Sequence, residues 1–127
     1  MSTKSFATAI NCMDGRTQIP VIEFLKKEYR VEFVDVITEP GPNKILAEKK
    51  DHSAVMSIKK RMEISAMKHG SKVVAIVGHH DCAGNPVDRE KQISQIQAAV
   101  KTIRGWGFQM TIVGLWVDED WKVNVVE

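Results

Sequence analysis

The stretch Ile76-Val77-Gly78-His79-His80-Asp81-Cys82-Ala83-Gly84-Asn85-Pro86 decides the fold. It begins inside an apolar strand over residues 72–77, passes through a short turn bearing imidazole and thiol groups, and runs into a helix start. Imidazole and thiolate at the end of a rigid strand suit a zinc ion, which takes N and S donors in a tetrahedral arrangement. The turn supplies only two donors, so a metal site requires another at the end of a second strand. Ser5-Phe6-Ala7-Thr8-Ala9-Ile10-Asn11-Cys12 is such a strand, and the only two cysteines of the chain both lie at a strand's carboxyl end.

Outward from these two strands the pattern alternates. Thr17 is the expected cap of a first helix that carries the stripe Val21, Phe24, Leu25 and Tyr29 to about Arg30, and residues 31–37 return to a strand. Thr38-Glu39-Pro40-Gly41-Pro42-Asn43 reads as a loop, because two prolines and a glycine disfavour both helix and ladder. Residues 44–68 are helical with a break near 51–53, Val55, Ile58, Met62 and Ser65 forming the buried stripe, and Gly70 ends the run. After the quoted turn, Asn85 is the expected cap, with Pro86 in the first helical position; Ile93, Ile96, Val100 and Ile103 recur at helical spacing until Gly105. Residues 110–117 form a fourth strand and residues 121–126 an antiparallel hairpin partner.

Strands alternating with helices predict an α/β domain with a mostly parallel sheet, right-handed crossovers and helices on both faces. If Cys12 shares a metal with His79 and Cys82, the first and third strands must be neighbours. The second strand is then displaced outward, giving the order 2-1-3-4-5, with the metal at the switch point where open α/β sheets bind ligands.

Composition narrows the function classes. The 127 residues suit a single domain over 1–127, and 43% hydrophobic with 27% charged residues is ordinary for a soluble protein. A net charge of +2 with scattered lysines does not mark a nucleic-acid binder. Met1-Ser2-Thr3-Lys4 leads straight into the first strand without an apolar signal region, and no apolar run approaches the ~20 residues of a membrane span. A cytoplasmic location without membrane attachment is expected, where two distant cysteines are thiols or metal ligands in preference to a disulfide. Three residues separate Cys12 from Arg16, where the Cys-x5-Arg phosphate loop needs five, and no glycine-rich nucleotide motif follows the first strand.

Cys12-Met13-Asp14-Gly15-Arg16 together with Gly78-His79-His80-Asp81-Cys82 resembles the paired signature of the β-class carbonic anhydrases, Cys-x-Asp-x-Arg and Gly-His-x-x-Cys. The resemblance implies zinc held by Cys12, His79 and Cys82, with His80 at a variable position. It also implies that Asp14 and Arg16 form a catalytic dyad in which the arginine keeps the carboxylate off the metal. The implied activity is reversible hydration of CO2 to bicarbonate by zinc-bound hydroxide, with turn amides around Gly84 contacting a substrate oxygen. Two other readings stand beside it: a non-catalytic zinc protein whose site Asp14 closes, and a related zinc hydrolase acting on COS or CS2. The family's N-terminal helical arm, which embraces a partner subunit, has no counterpart before the first strand. A homodimer or larger assembly is expected nonetheless, with Trp106, Phe108, Trp116 and Trp121 divided between a contact surface and ordinary core packing.

Overall fold

The computed structural model describes residues 5–127; Met1 to Lys4, the short lead-in on which the expectation of no signal region rests, lie outside the described residues. The order of elements is β1 (Phe6–Cys12), α1 (Gly15–Tyr29), β2 (Phe33–Glu39), α2 (Pro42–Glu48), α3 (His52–Lys68), β3 (Val73–His79), α4 (Arg89–Arg104), β4 (Thr111–Val117) and β5 (Val123–Val125). The five strands form one sheet in the order β2-β1-β3-β4-β5, parallel except for β5. Both the order and the antiparallel edge agree with the sequence reading.

Side chains alternate across each strand, so the sheet offers two apolar faces. Ile10, Val74, Ile76 and Trp116 point into a core closed by Leu46 of α2, Val55, Ile58 and Met62 of α3, and Ile96, Val100 and Ile103 of α4. Ala7, Ala9, Ala75, Val77, Val113 and Leu115 face the other way, against Val21 and Leu25 of α1. β3 lies in the middle of the sheet and is buried along its whole length. It therefore forms a fixed floor from which His79 emerges. Ile10 pairs with Ile76, so Cys12 and His79 leave β1 and β3 at the same edge. Among the described residues no helix is long and apolar enough to cross a membrane.

Four local boundaries differ from expectation. Asp14, and not Thr17, caps α1: its Oδ1 accepts the Arg16 amide at 2.9 Å, while Thr17 lies buried inside the helix with its hydroxyl donating to the Asp14 carbonyl. Pro42 and Asn43 belong to α2, because a proline in the first helical turn lacks only an amide that the helix does not use. Asp88, and not Asn85, caps α4, its Oδ1 accepting the Lys91 amide at 2.9 Å. The last strand is shorter than residues 121–126, since Trp121 adopts a left-handed φ of 60° within the β4–β5 turn.

Of the aromatic residues expected at a contact surface, Trp116 is 4% exposed, whereas Trp106 and Phe108 are half-buried against the three-helix core and Trp121 is half-buried on the α1 side. The exposed large apolar residues include Met13, Ile19, Phe33, Met56, Ile64 and Met67.

Candidate metal centre

At the carboxyl edge of the sheet, β1 delivers Cys12, β3 delivers His79, and the turn after β3 delivers Cys82. All three are buried, and their ligand atoms lie within 4.8 Å of one another. Cys12 Sγ and Cys82 Sγ are 3.8 Å apart, and both are free thiols. A disulfide would need about 2.05 Å. Two Zn–S bonds of about 2.3 Å at a tetrahedral angle separate their sulfurs by about 3.8 Å, so the spacing fits a shared metal.

The histidine is oriented for the same purpose. His79 Nδ1 lies 2.7 Å from the His80 carbonyl, a hydrogen bond in which the ring nitrogen must donate. That fixes the tautomer and leaves Nε2 with a lone pair, the usual preparation of a ligating imidazole. Nε2 is buried and has no hydrogen-bond partner among the described residues. A buried polar atom without a partner is costly, and in this donor set a metal ion would satisfy it.

The two thiols shift one another in opposite directions. The Cys82 contact lowers the Cys12 thiol, against burial, helped by His79 and by the amides of Gly41 and Asp14. The same contact, together with burial and the charge on Cys12, raises Cys82. Burial pulls His79 down, but the Cys12 contact, the His80 carbonyl and the charges of Cys12 and Asp14 outweigh it and raise it. Metal binding needs both sulfurs and Nε2 free of protons, so it would release whatever protons they carry.

Backbone amides support both sulfurs. The helix expected to start at Asn85 begins only at Arg89; the Asn85 amide donates to the Cys82 carbonyl at 3.3 Å, and the amides of Gly84 and Asn85 lower the Cys82 thiol, against the larger effects of Cys12 and burial. The Pro40–Gly41 loop, which gives Cys12 its Gly41 amide, packs directly against this turn. A Cβ on Gly84 would lie 2.9 Å from the Pro40 carbonyl carbon, and one on Gly41, where φ is 65°, would lie 2.8 Å from Asn85 Cβ. Only glycine allows that approach. Four buried amide side chains lie behind the two loops. Asn43 Nδ2 donates to Gln92 Oε1 at 2.8 Å and Asn85 Nδ2 to Gln95 Oε1 at 2.6 Å, while Gln92 Nε2 donates to the Asn85 carbonyl at 2.9 Å.

Asp14 and Arg16 lie at the start of α1, with the Asp14 carboxylate near His79. Arg16 donates from Nε to Asp14 Oδ1 at 3.0 Å and from Nη2 to Oδ2 at 2.7 Å, and the Arg16 amide adds a third bond. These contacts hold the Asp14 carboxyl down at about 2, the Arg16 side-chain hydrogen bond being the main cause, and raise the guanidinium correspondingly. Asp14 Oδ2 remains 4.0 Å from His79 Nε2. His80 is exposed, its amide donates to the Val117 carbonyl at 2.9 Å, and with Arg89 and Trp116 it lines a pocket of about 250 Å³.

Sequence reasoning overlooked the groups around this core. Gln92 and Gln95 share the buried stripe of α4 with Ile96 and Ala99, and polar residues on an apolar stripe are the signal that could have shown them. Nothing local marks Asp81 and Trp121, which reach Arg16 across the fold.

Comparison with known proteins agrees with this geometry. A carbonic anhydrase from Glaciozyma antarctica superposes with a TM-score of 0.64 at 16% identity, covering 95% of this chain and 81% of that one. Of two tetrameric β-carbonic anhydrases described from Sordaria macrospora, the structure matched gives 0.63 at 12% identity, covering 98% and 81%. A β-carbonic anhydrase of Aspergillus fumigatus gives 0.50 at 15%, covering 97% and 74%. At such identities these likenesses establish the fold alone. A search of curated protein sequences finds no match. Residues 2–127 match the family model described as "Putative carbonic anhydrase", nearly the entire chain, and the protein belongs to that family.

Proposed function

We propose that this chain is a zinc-dependent lyase that hydrates CO2 reversibly to bicarbonate, working as a single domain over residues 1–127. The observation that carries the reading is the buried triad Cys12, His79 and Cys82 within 4.8 Å, beside an Asp14 already engaged by Arg16. Three protein donors leave the fourth tetrahedral position free, as a catalytic zinc requires. Zinc held there would supply the Lewis acidity that ionises water near neutral pH.

The residues of the chain do the rest. Asp14, ionised down to about pH 2, accepts a hydrogen bond at the mouth of the triad without taking the proton, and so aims the attacking oxygen at the carbon. Arg16 occupies both of its oxygens and keeps it from becoming a fourth ligand. The turn at Gly84 presents amides on the side of Cys82, where they can face a substrate or product oxygen. Engagement of Asp14 by Arg16 argues against the closed, non-catalytic site. Hydrolysis of COS or CS2 would use the same groups, and rates on the three substrates rank them.

We also propose a cytoplasmic homo-oligomer. The Sordaria macrospora proteins are described as tetrameric, and Met13 and Ile19, on either side of the α1 start, are 64% and 66% exposed. Light scattering of dilute protein tests this, and a monomer mass refutes it.

Stopped-flow CO2 hydration by zinc-replete protein tests the activity. The rate is expected to rise from neutral to alkaline pH, and Asp14→Ala to lower turnover by about 100-fold with zinc still bound. A fully loaded wild type with no activity across that range removes the enzyme assignment and leaves a metal-binding protein.

A further inference from the structure

We propose that Asp81 and Trp121 are positioning residues that cage Arg16 and thereby keep Asp14 withdrawn from the metal centre; the inference rests on the metal reading above. Arg16 is restrained on three sides. Asp14 holds Nε and Nη2 along one edge of the guanidinium. Along another edge Nη1 donates to Asp81 Oδ2 at 3.2 Å and Nη2 donates to the Asp81 carbonyl at 3.1 Å. The Trp121 ring covers one face, with Arg16 Cζ 4.5 Å from its centroid. A planar fork held at its edges and stacked on indole has almost no rotational freedom left.

Both cage residues occupy backbone conformations that the sequence would otherwise avoid. Asp81 has φ 57° and Trp121 φ 60°. A left-handed aspartate is tolerated, whereas a left-handed tryptophan is an outlier that its surroundings must enforce. The β4–β5 turn enforces it: the Trp121 amide donates to the Asp118 carbonyl at 2.9 Å, and Asp118 Oδ1 accepts the amides of Asp120 and Lys122. Two left-handed residues, from distant parts of the chain, thus converge on one guanidinium. If Trp121 merely closed a hairpin, its loss would cost stability and leave the centre open.

Without the cage, Arg16 swings away and Asp14, whose Oδ2 is 4.0 Å from His79 Nε2, can fill the open position. The test uses Co(II) in place of zinc, with azide as an exogenous ligand read from the visible spectrum. Wild type is expected to bind azide, while Trp121→Ala and Asp81→Gly raise its apparent Kd by about 10-fold or more. The double variant Trp121→Ala/Asp14→Ala should recover wild-type azide binding, which loss of stability alone cannot explain. Asp81 has a 70% exposed side chain and glycine accepts left-handed backbone, so Asp81→Gly, which removes the carboxylate on Nη1, keeps the test valid should Trp121→Ala fail to fold. Azide affinity within about 2-fold of wild type in the folded single variants, or a double variant that does not recover, overturns the cage. A wild type that takes up no cobalt overturns the metal reading itself, and the cage with it.

Discussion

Two buried polar clusters occupy opposite ends of β1 and β3, and they are built differently. At the amino end, Ser71 Oγ, Thr8 Oγ1, Ser65 Oγ, Asp35 Oδ2 and His69 Nδ1 form one chain of hydrogen bonds with links of 2.9, 2.7, 2.6 and 2.6 Å. Each of these atoms has a partner, and His69 stacks on Phe6 with its side chain 44% exposed. At the carboxyl end, two thiols stand 3.8 Å apart beside a fully buried His79 whose Nε2 has no partner among the described residues. A satisfied network stabilises a fold and asks for nothing more; a buried donor set with an open atom lacks a component. Having a histidine and hydrogen-bonding side chains does not distinguish a site from a scaffold. Unmet bonding capacity does.

The strongest way to break this comparison is to remove a donor from the open cluster. Cys82→Ser should reduce zinc in purified protein from one equivalent per chain to below about a tenth, measured by elemental analysis, since a thiolate is replaced by a poor ligand. Wild type below that level would mean that the open cluster is not a metal centre.

Gln95→Ala probes how far the open cluster extends. Gln95 Oε1 accepts from Asn85 and Asn43, tying the turn of Cys82 to the start of α2. Its loss should weaken zinc affinity by about 10-fold in a chelator competition, the usual cost of removing an outer support of a ligand. An unchanged affinity would restrict the centre to its three donors and their amides.

Ser65→Ala is the control at the other end. It removes the middle of the satisfied chain and leaves Thr8 and Asp35 each short of a partner, which should cost about 1–3 kcal/mol in urea unfolding. Zinc content should not change. A loss of zinc would mean that the two clusters are coupled along β1 and β3, and the contrast between them would fail.

Much of this was legible because the constraint on the site was also a constraint on the fold. Requiring Cys12 to meet His79 and Cys82 forces β1 beside β3 and β2 to the edge. Where two nearby residues could perform one task, sequence could not choose between them. Asp14 and Thr17 can each cap a helix, as can Asn85 and Asp88; tertiary packing decided, burying Thr17 inside α1 and drawing Asn85 into the amide network of Gln95. The aromatic residues could not be assigned for a related reason: an indole near an edge strand has the same pattern whether it covers a partner or, like Trp121 in the β4–β5 turn, an arginine of its own chain. Such contacts across the fold leave no local periodicity.

The smallest expected effect concerns the Asp14–Arg16 ion pair at the mouth of the open cluster. The Arg16 side-chain hydrogen bond holds Asp14 at about 2, below its ordinary 3.8. A carboxyl lowered on folding stabilises the native state above its unfolded value and stops doing so as pH falls through its folded value. The contribution should therefore be complete above about pH 4 and vanish towards about pH 2. Asp14→Asn cannot titrate, so in metal-free protein the wild type should exceed the variant in urea midpoint at pH 5, with the gap narrowing steadily between those limits. The Arg16 side chain is 47% exposed, so salt should shrink the gap as the screening length falls below about 10 Å. A gap that stays constant from pH 5 to about pH 2 would show that Asp14 stabilises α1 through its cap bond to the Arg16 amide and not through its charge, leaving the carboxylate less firmly held than the catalytic reading needs.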